Sequence, residues 1–211
     1  MDAELKNSIL KTGTTILGIV CKDGIVMAGD RRGTVGNLIY SRDYSKVRVL
    51  NDYLVFSGCG SAAETQKVSK LLTAELKLKE LKSKNRPSIR QSASLLSNIN
   101  AFESAFLLAG FDEDGTCSLY DVLVGYMKEV KDYTASVGSG MPYALGLLER
   151  QYKKNMSVEE GIKLAIESIK SSTQRDVFSG NGIDVVTITK DGIKHIIEQQ
   201  IVPEYRDEKS K

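Results

Sequence analysis

Gly13-Thr14-Thr15 stands at the head of an apolar, β-prone run, with Asp30 and Lys46 downstream of it. Threonine is a poor nucleophile until a base takes its proton, and cutting the chain after Gly13 would create that base on Thr14 itself, as a free α-amine. Residues 1–13 would then be a leader that masks the nucleophile. Model α-amines titrate near ~8 and lysine side chains near ~10.4, so at neutral pH the amine offers the larger unprotonated fraction. Lys46 therefore suits electrostatic work better than base work. Gly13 has no side chain, which lets the Thr14 hydroxyl approach the Gly13 carbonyl closely enough for an intramolecular attack. Taken alone, Thr14 reads more readily as the first β-branched residue of a strand, Asp30 as a strand-end turn residue and Lys46 as a surface charge.

Gly58-Cys59-Gly60-Ser61 precedes a capped helical pattern. Backbone N–H groups at such an end point outward and the helix dipole favours negative charge, so the Gly60 N–H is a candidate oxyanion donor. Cys59 in the same loop offers a rival thiol nucleophile, but the single histidine, His195, falls in a late strand, which argues against Cys-His or Ser-His-Asp machinery. No Gly-Lys-Ser/Thr follows to make the loop a phosphate cradle. Gly138-Ser139-Gly140 and Ser179-Gly180-Asn181-Gly182 read by themselves as turns chosen for backbone freedom.

The elements that must position these residues follow from periodicity. Thr14 to Cys21 and Ile25 to Gly29 are apolar runs around Lys22-Asp23-Gly24, a hairpin signal, and Val47 to Leu50 with Leu54 to Ser57 around Asn51-Asp52 forms a second. Ser61 with Glu64, Ser88 with Gln91 and Ser157 with Glu160 match capping boxes. They predict one helix to about Leu81, a second running toward Phe106, and a third over 157–172, with another over 142–152. Strands are expected at 107–111, 118–124, 133–137, 183–189 and 193–197. This alternation allows two sheets, each with helices on one face, to stack.

The chain has 211 residues and 41% hydrophobic content, which suits one domain with a substantial core. Twenty-nine basic against 27 acidic side chains leave a net charge of +2, which points away from nucleic acid and from a polybasic membrane anchor. Cys21, Cys59 and Cys117 are odd in number and form no C-x-x-C pair, so neither a disulfide framework nor a metal site is suggested, and a reducing compartment fits. The leader is too charged for a secretory segment and no run is long enough to span a bilayer. Residues 204–211 form a polar tail.

Gly13-Thr14, the stretch Ala28-Gly29-Asp30-Arg31-Arg32-Gly33-Thr34, Lys46, Ser57-Gly58-Cys59-Gly60-Ser61-Ala62, Val137-Gly138-Ser139-Gly140 and Arg175-Asp176-Val177-Phe178-Ser179-Gly180 occur in the order and approximate spacing of proteasome β subunits. From about Gly13 to about Gln199 the chain resembles a catalytic β subunit of archaeal style. The resemblance implies an α+β chain with the four-layer α-β-β-α sandwich of the N-terminal nucleophile hydrolases, in a single peptidase domain over 14–203. It implies autocatalytic cleavage between Gly13 and Thr14, and hydrolysis of peptide bonds in unfolded polypeptides through a Thr14 ester, with no cofactor and no metal. Asp30 would hold Lys46, whose charge favours the neutral amine and the developing negative charge, while Asp176, Ser139 and Ser179 would bond around the amino group and its water. Substrate would lie extended between Thr34 and the backbone of Gly60 and Ala62. Gly33, Tyr44, Arg48, Gly58, Ala62 and Gln66 would line the first pocket, with Arg48 admitting acidic side chains.

The partners implied are other β subunits in a heptameric ring, α-type ring subunits and, indirectly, an ATP-dependent unfoldase, in the cytoplasm. Ile16, where the family often has threonine, carries no chemical role. Three other readings stay open: a non-catalytic β-type ring scaffold, a simpler bacterial-style ring protease, and a self-processing amidohydrolase.

Overall fold

Strands β1 (Ile16–Cys21) and β2 (Gly24–Asp30) are buried at nearly every position, because both faces of their sheet are covered. Successive side chains point to opposite faces. Ile16, Ile25 and Met27 face a second sheet, whereas Leu17, Val26 and Ala28 face helices. The computed structural model describes residues 13–201; the leader expected upstream of Gly13 and the tail expected over 204–211 lie outside the described residues.

The first sheet is antiparallel in the order β10 (Tyr133–Ala135), β1, β2, β11 (Gly182–Thr189), β12 (Gly192–Gln200). The second runs β5 (Val47–Asn51), β6 (Leu54–Gly60), β7 (Ser104–Phe111), β8 (Cys117–Leu123), β9 (Tyr126–Val130). A two-stranded ribbon, β3 (Gly33–Val35) and β4 (Leu38–Ser41), stands apart. Helices α1 (Ala62–Ser83) and α2 (Ile89–Ser97) pack on the second sheet through Val68, Leu72, Leu96 and Phe106. Helices α3 (Met141–Gln151) and α4 (Val158–Thr173) pack on the first through Leu148, Leu164 and Ile169. The result is the expected α+β, four-layer α-β-β-α sandwich. Between the sheets Gly18 leaves the room that Leu119 fills, since a Cβ there would meet Leu119 Cδ2 at 2.7 Å.

Caps start the helices where the sequence says they should. Ser88 with Gln91 and Ser157 with Glu160 form reciprocal capping boxes. The Ser61 box is half-formed: Ser61 accepts from the Glu64 N–H, but the Glu64 carboxylate turns to the N–H of Glu103 at 3.1 Å. Helix α2 stops at Ser97, well short of Phe106. The Ser97 hydroxyl and the Asn98 amide both bond the Ser94 carbonyl there, at 2.8 and 2.9 Å. Ala105 to Ala109 then alternate between the inter-sheet core and the helical core, a period of two that puts Phe106 in a strand. The ribbon β3–β4 and strand β9 are additions to the expected elements. Both are short and partly exposed, so burial does not mark them as it marks β1 and β2. Among the described residues no helix is long and apolar enough to cross a membrane.

Leu107 is fully buried between the sheets, whereas Leu81 on α1 is 67% exposed. Leu107→Ala should lower the unfolding free energy of the isolated chain in urea by ~2–5 kcal/mol. Leu81→Ala should change it by less than about 0.5 kcal/mol.

Candidate active site

The register of β1 and β2 pairs Ile16 with Gly29, so the residue entering β1 meets the residue that closes β2. Thr15 N–H donates to Asp30 Oδ1 at 2.9 Å, and Asp30 N–H donates to the Thr15 carbonyl at 3.1 Å. Lys46 enters β5 in the facing sheet, with its carbonyl held by the Ser57 hydroxyl at 2.8 Å. From there Lys46 Nζ reaches Asp30 Oδ1 at 2.5 Å. Asp30 Oδ2 accepts from the N–H groups of Arg32 and Gly180, both at 3.0 Å. The two side chains of the pair are 0% and 2% exposed, so the charges meet away from water, where charge-assisted bonds are strong.

Thr14 lies just upstream, buried, with its Oγ1 donating to the Gly13 carbonyl at 2.6 Å. Its N–H donates to Ser139 Oγ at 3.1 Å. Ser139 and Ser179 both donate their hydroxyls to Asp176 Oδ2, at 2.6 and 2.5 Å. Asp176 follows α4 and is set by its own N–H on the Ser172 carbonyl at 2.8 Å. The structure thus gathers Thr14, Asp30, Lys46, Ser139, Asp176 and Ser179 around one peptide unit. That arrangement brings a hydroxyl to an amide carbonyl, with a buried cation and a separate hydroxyl–carboxylate relay beside it.

Gly13, Gly138 and Gly140 are here for proximity rather than for turn freedom. A Cβ on Gly138 would meet the Thr14 carbonyl at 2.2 Å, and one on Gly140 would meet Thr15 Oγ1 at 1.7 Å. At Gly13 a Cβ would fall 1.8 Å from Phe178 Cβ and 2.7 Å from Ser139 Oγ. Gly60 is both tight and left-handed: φ is +103°, and a Cβ would meet the Glu103 carbonyl at 2.1 Å.

A cavity of about 310 Å³ opens beside Thr14 and Lys46. Gly33, Thr34, Tyr44, Gly58, Gly60 and Ala62 line it. Arg48 and Gln66 are not among the described residues that line it. Arg48 instead donates to the Tyr44 hydroxyl at 2.9 Å and to Ser69 Oγ at 3.4 Å, with its guanidinium 5.5 Å from the Tyr44 ring centroid. It stiffens a wall from behind. Sequence reasoning missed Arg32, Val35, Tyr40, Ser41 and Thr65 in the lining. Thr65 was findable, because it sits three residues after Ala62 on the same helix face. The ribbon was findable through Gly36-Asn37 between β-prone residues.

Cys59 points the other way, into the inter-sheet core, with Sγ 3.1 Å from the Val137 carbonyl. Burial pushes its thiol pKa up, as it does for Cys117, and for Cys21 up to about 12, so the thiolate is disfavoured at all three. His195 is exposed on β12.

A family profile described as "Proteasome subunit" matches residues 10–188. "Proteasome subunit beta 1" of Thermococcus onnurineus is 40% identical over 195 residues, covering 90% of this chain and 95% of its own. "Proteasome subunit beta" of Methanocaldococcus vulcanius is 37% identical over 206 residues, covering 94% and 92%. "Proteasome subunit beta" of Methanocaldococcus jannaschii is 40% identical over 197 residues, covering 90% and 87%.

Alkylation with iodoacetamide near pH 7.5, read by peptide mass, should modify partly exposed Cys117 first and leave Cys59 and Cys21 untouched until the chain is unfolded. Rapid labelling of Cys59 in the folded chain would revive the thiol reading.

Proposed function

The chain belongs to the proteasome subunit family, with archaeal β subunits as its relatives, and on that premise we propose that it is a threonine peptidase made as a precursor. The observation that carries this reading is the Thr14 hydroxyl, 2.6 Å from the Gly13 carbonyl oxygen, in a chain whose Thr14 nitrogen already rests on the Ser139–Asp176 relay. A scaffold subunit has no need of that combination.

Self-processing begins with attack of Thr14 Oγ1 on the Gly13 carbonyl carbon. The carbon–nitrogen bond breaks as the nitrogen takes the hydroxyl proton, leaving an ester between Gly13 and the Thr14 side chain. Water hydrolyses the ester to a Gly13 carboxylate, a free hydroxyl and a free amine. In turnover the same amine accepts the hydroxyl proton as Oγ1 attacks a substrate carbonyl, then gives it to the departing nitrogen; water cleaves the acyl-enzyme. Lys46 favours the neutral amine and stabilises developing negative charge, and the Gly60 backbone, which shares the cavity with Thr14, faces the oxyanion.

Substrate lies extended beside β3, an arrangement supported by Thr34 Oγ1, which accepts the Gly13 N–H at 3.2 Å. Main-chain recognition of this kind takes many sequences and requires an unfolded polypeptide. Confinement in a ring particle of β subunits with α-type rings, fed by an ATP-dependent unfoldase, keeps so tolerant a site from folded proteins.

Intact mass after co-expression with an α-type subunit tests the reading. The chain should lose residues 1–13, and Thr14→Ala should keep them; assembled particles that retain the leader on the unaltered chain would refute it. The cavity walls also carry a preference. Lys46 is committed to Asp30 and Arg48 to Tyr44, and Arg32, which also lines the cavity, gives its Nε to Asn181 Oδ1 and its Nη1 to the Val177 carbonyl, so a carboxylate in the pocket would meet cations already engaged with other acceptors. Fluorogenic peptides with Tyr or Leu ahead of the scissile bond should exceed those with Glu in kcat/KM by about tenfold, since a carboxylate there would give up its hydration beside cations whose donors already serve other acceptors.

A further inference from the structure

Among the described residues, Thr15 is the one bonded to both acidic networks. Its N–H donates to Asp30 Oδ1 at 2.9 Å, and its hydroxyl lies 2.8 Å from Ser179 Oγ. Ser179 has a single hydroxyl proton, which it gives to Asp176 Oδ2 at 2.5 Å. The Thr15–Ser179 bond must therefore run from Thr15 as donor. The remaining directions are then fixed. Ser139 gives its proton to the same Asp176 oxygen, so its lone pair faces the Thr14 nitrogen. The relay reads Thr15 to Ser179 to Asp176 on one side, and Thr14 nitrogen to Ser139 to Asp176 on the other.

Resting on the threonine-peptidase reading, we propose that the Thr15 hydroxyl is a positioning group for the Thr14 amine, acting through Ser179 and Asp176. Thr15 touches none of the reacting atoms. Its contribution is to hold Ser179 as a donor, because a hydroxyl that accepts a bond donates a stronger one. Asp176 is thereby engaged from both sides, and Ser139 keeps its lone pair on an N–H of the amine, whose own single lone pair is left to take the Thr14 hydroxyl proton. The packing supports a fixed Thr15 hydroxyl: it is buried, and Gly140 gives it space that any Cβ would fill at 1.7 Å. The β-strand propensity of threonine needs only its branched shape, which valine shares, so the hydroxyl is the part in need of explanation.

The direction of the pH effect follows from the relay. Without the Thr15 donor, Ser179 donates more weakly, Asp176 presents more charge toward Ser139 and the amine, and the protonated amine is favoured. The acidic limb of the kcat/KM profile should move to higher pH.

The test compares Thr15→Val and Thr15→Ser in particles assembled with an α-type subunit, following leader loss by intact mass over time and peptide hydrolysis over pH. Thr15→Val should lower the rate of leader loss and kcat by about ten- to a hundredfold, below the roughly 10²–10⁴-fold of a group that itself transfers the proton because Thr15 acts through Ser179 and Asp176, with KM within about twofold. Thr15→Ser should stay near the unaltered chain. Equal losses in both variants, or an unchanged rate and pH limb in Thr15→Val, would overturn the proposal. Should Thr15→Val assemble poorly, a cycle of Thr15→Ala, Ser179→Ala and the double variant decides. Losses in both Thr15→Ala and Ser179→Ala, with the double variant no worse than Ser179→Ala, support a shared path; additive losses reject it. If the unaltered chain keeps its leader in assembled particles, it is the peptidase reading that fails.

Discussion

A carboxylate with no access to water has to be fully answered by the protein, and Asp30 is such a group. Its two oxygens accept from one ammonium, Lys46, and three backbone N–H groups, those of Thr15, Arg32 and Gly180. These four donors come from four places: the entrance to β1, the exit of β2, the entrance to β5 in the facing sheet, and the loop before β11. Removing one partner of a buried ion pair typically costs ~3–5 kcal/mol, because the other charge stays behind without compensation. The arrangement of the site therefore follows from one electrostatic requirement, met only when the two sheets are stacked in this register.

The three residues that end β2 and follow it divide the surrounding work. Arg31 is buried and binds Asp184 of β11 and Asp43, which ties β2 to its neighbour strand and to the segment after the ribbon. Arg32 turns the opposite way, donating to Asn181 Oδ1 at 2.7 Å and to the Val177 carbonyl at 2.6 Å. It clamps the loop that carries Ser179 and follows Asp176. Asp30 sits between them as the acceptor. Replacing Arg32 by lysine would keep the charge but lose the planar fork that spans two acceptors on one loop. The loop's own geometry needs Asn181 at φ 60°, a left-handed position asparagine tolerates better than most residues.

How far this could be read from sequence depends on how local the signal is. The β1–β2 hairpin, the helix starts at Ser88 and Ser157, and the buried strands β6, β7 and β11 all declare themselves within a few residues. The end of α2 did not, because Leu95, Leu96 and Ile99 continue an apolar pattern while the Asn98 and Ser97 side chains quietly stop the helix. The half-formed box at Ser61 shows the same limit: Glu64 has the right spacing, but Glu103, distant in sequence, takes its carboxylate. In the site, residue types with chemistry were legible and their neighbours were not. Arg48 looked like a pocket cation until its partner Tyr44 was visible, and Thr15 looked like a strand residue until Ser179 was. By sequence alone the glycines at 138 and 140 read as turn residues, but their reason lies in the Thr14 and Thr15 atoms pressed against them.

On the proposed reading, the leader masks the site chemically as well as by position. While Gly13 is attached, the Thr14 nitrogen is an amide, its lone pair delocalised into the carbonyl, and it cannot serve as a base. Yet it already donates to Ser139, the group that would hold the amine afterwards. Cutting the bond changes the chemistry of one nitrogen while the ring of donors and acceptors around it has no need to move. That economy follows from a single cavity serving both states: Gly13 lines it in the uncut chain, with its N–H on Thr34, where the carbonyl side of a substrate would lie. A residue larger than glycine at position 13 would have to displace Phe178 or Ser139, and displacing Ser139 would spoil the relay that the liberated amine needs. The same absent side chain thus serves the cut itself and the activity that follows it.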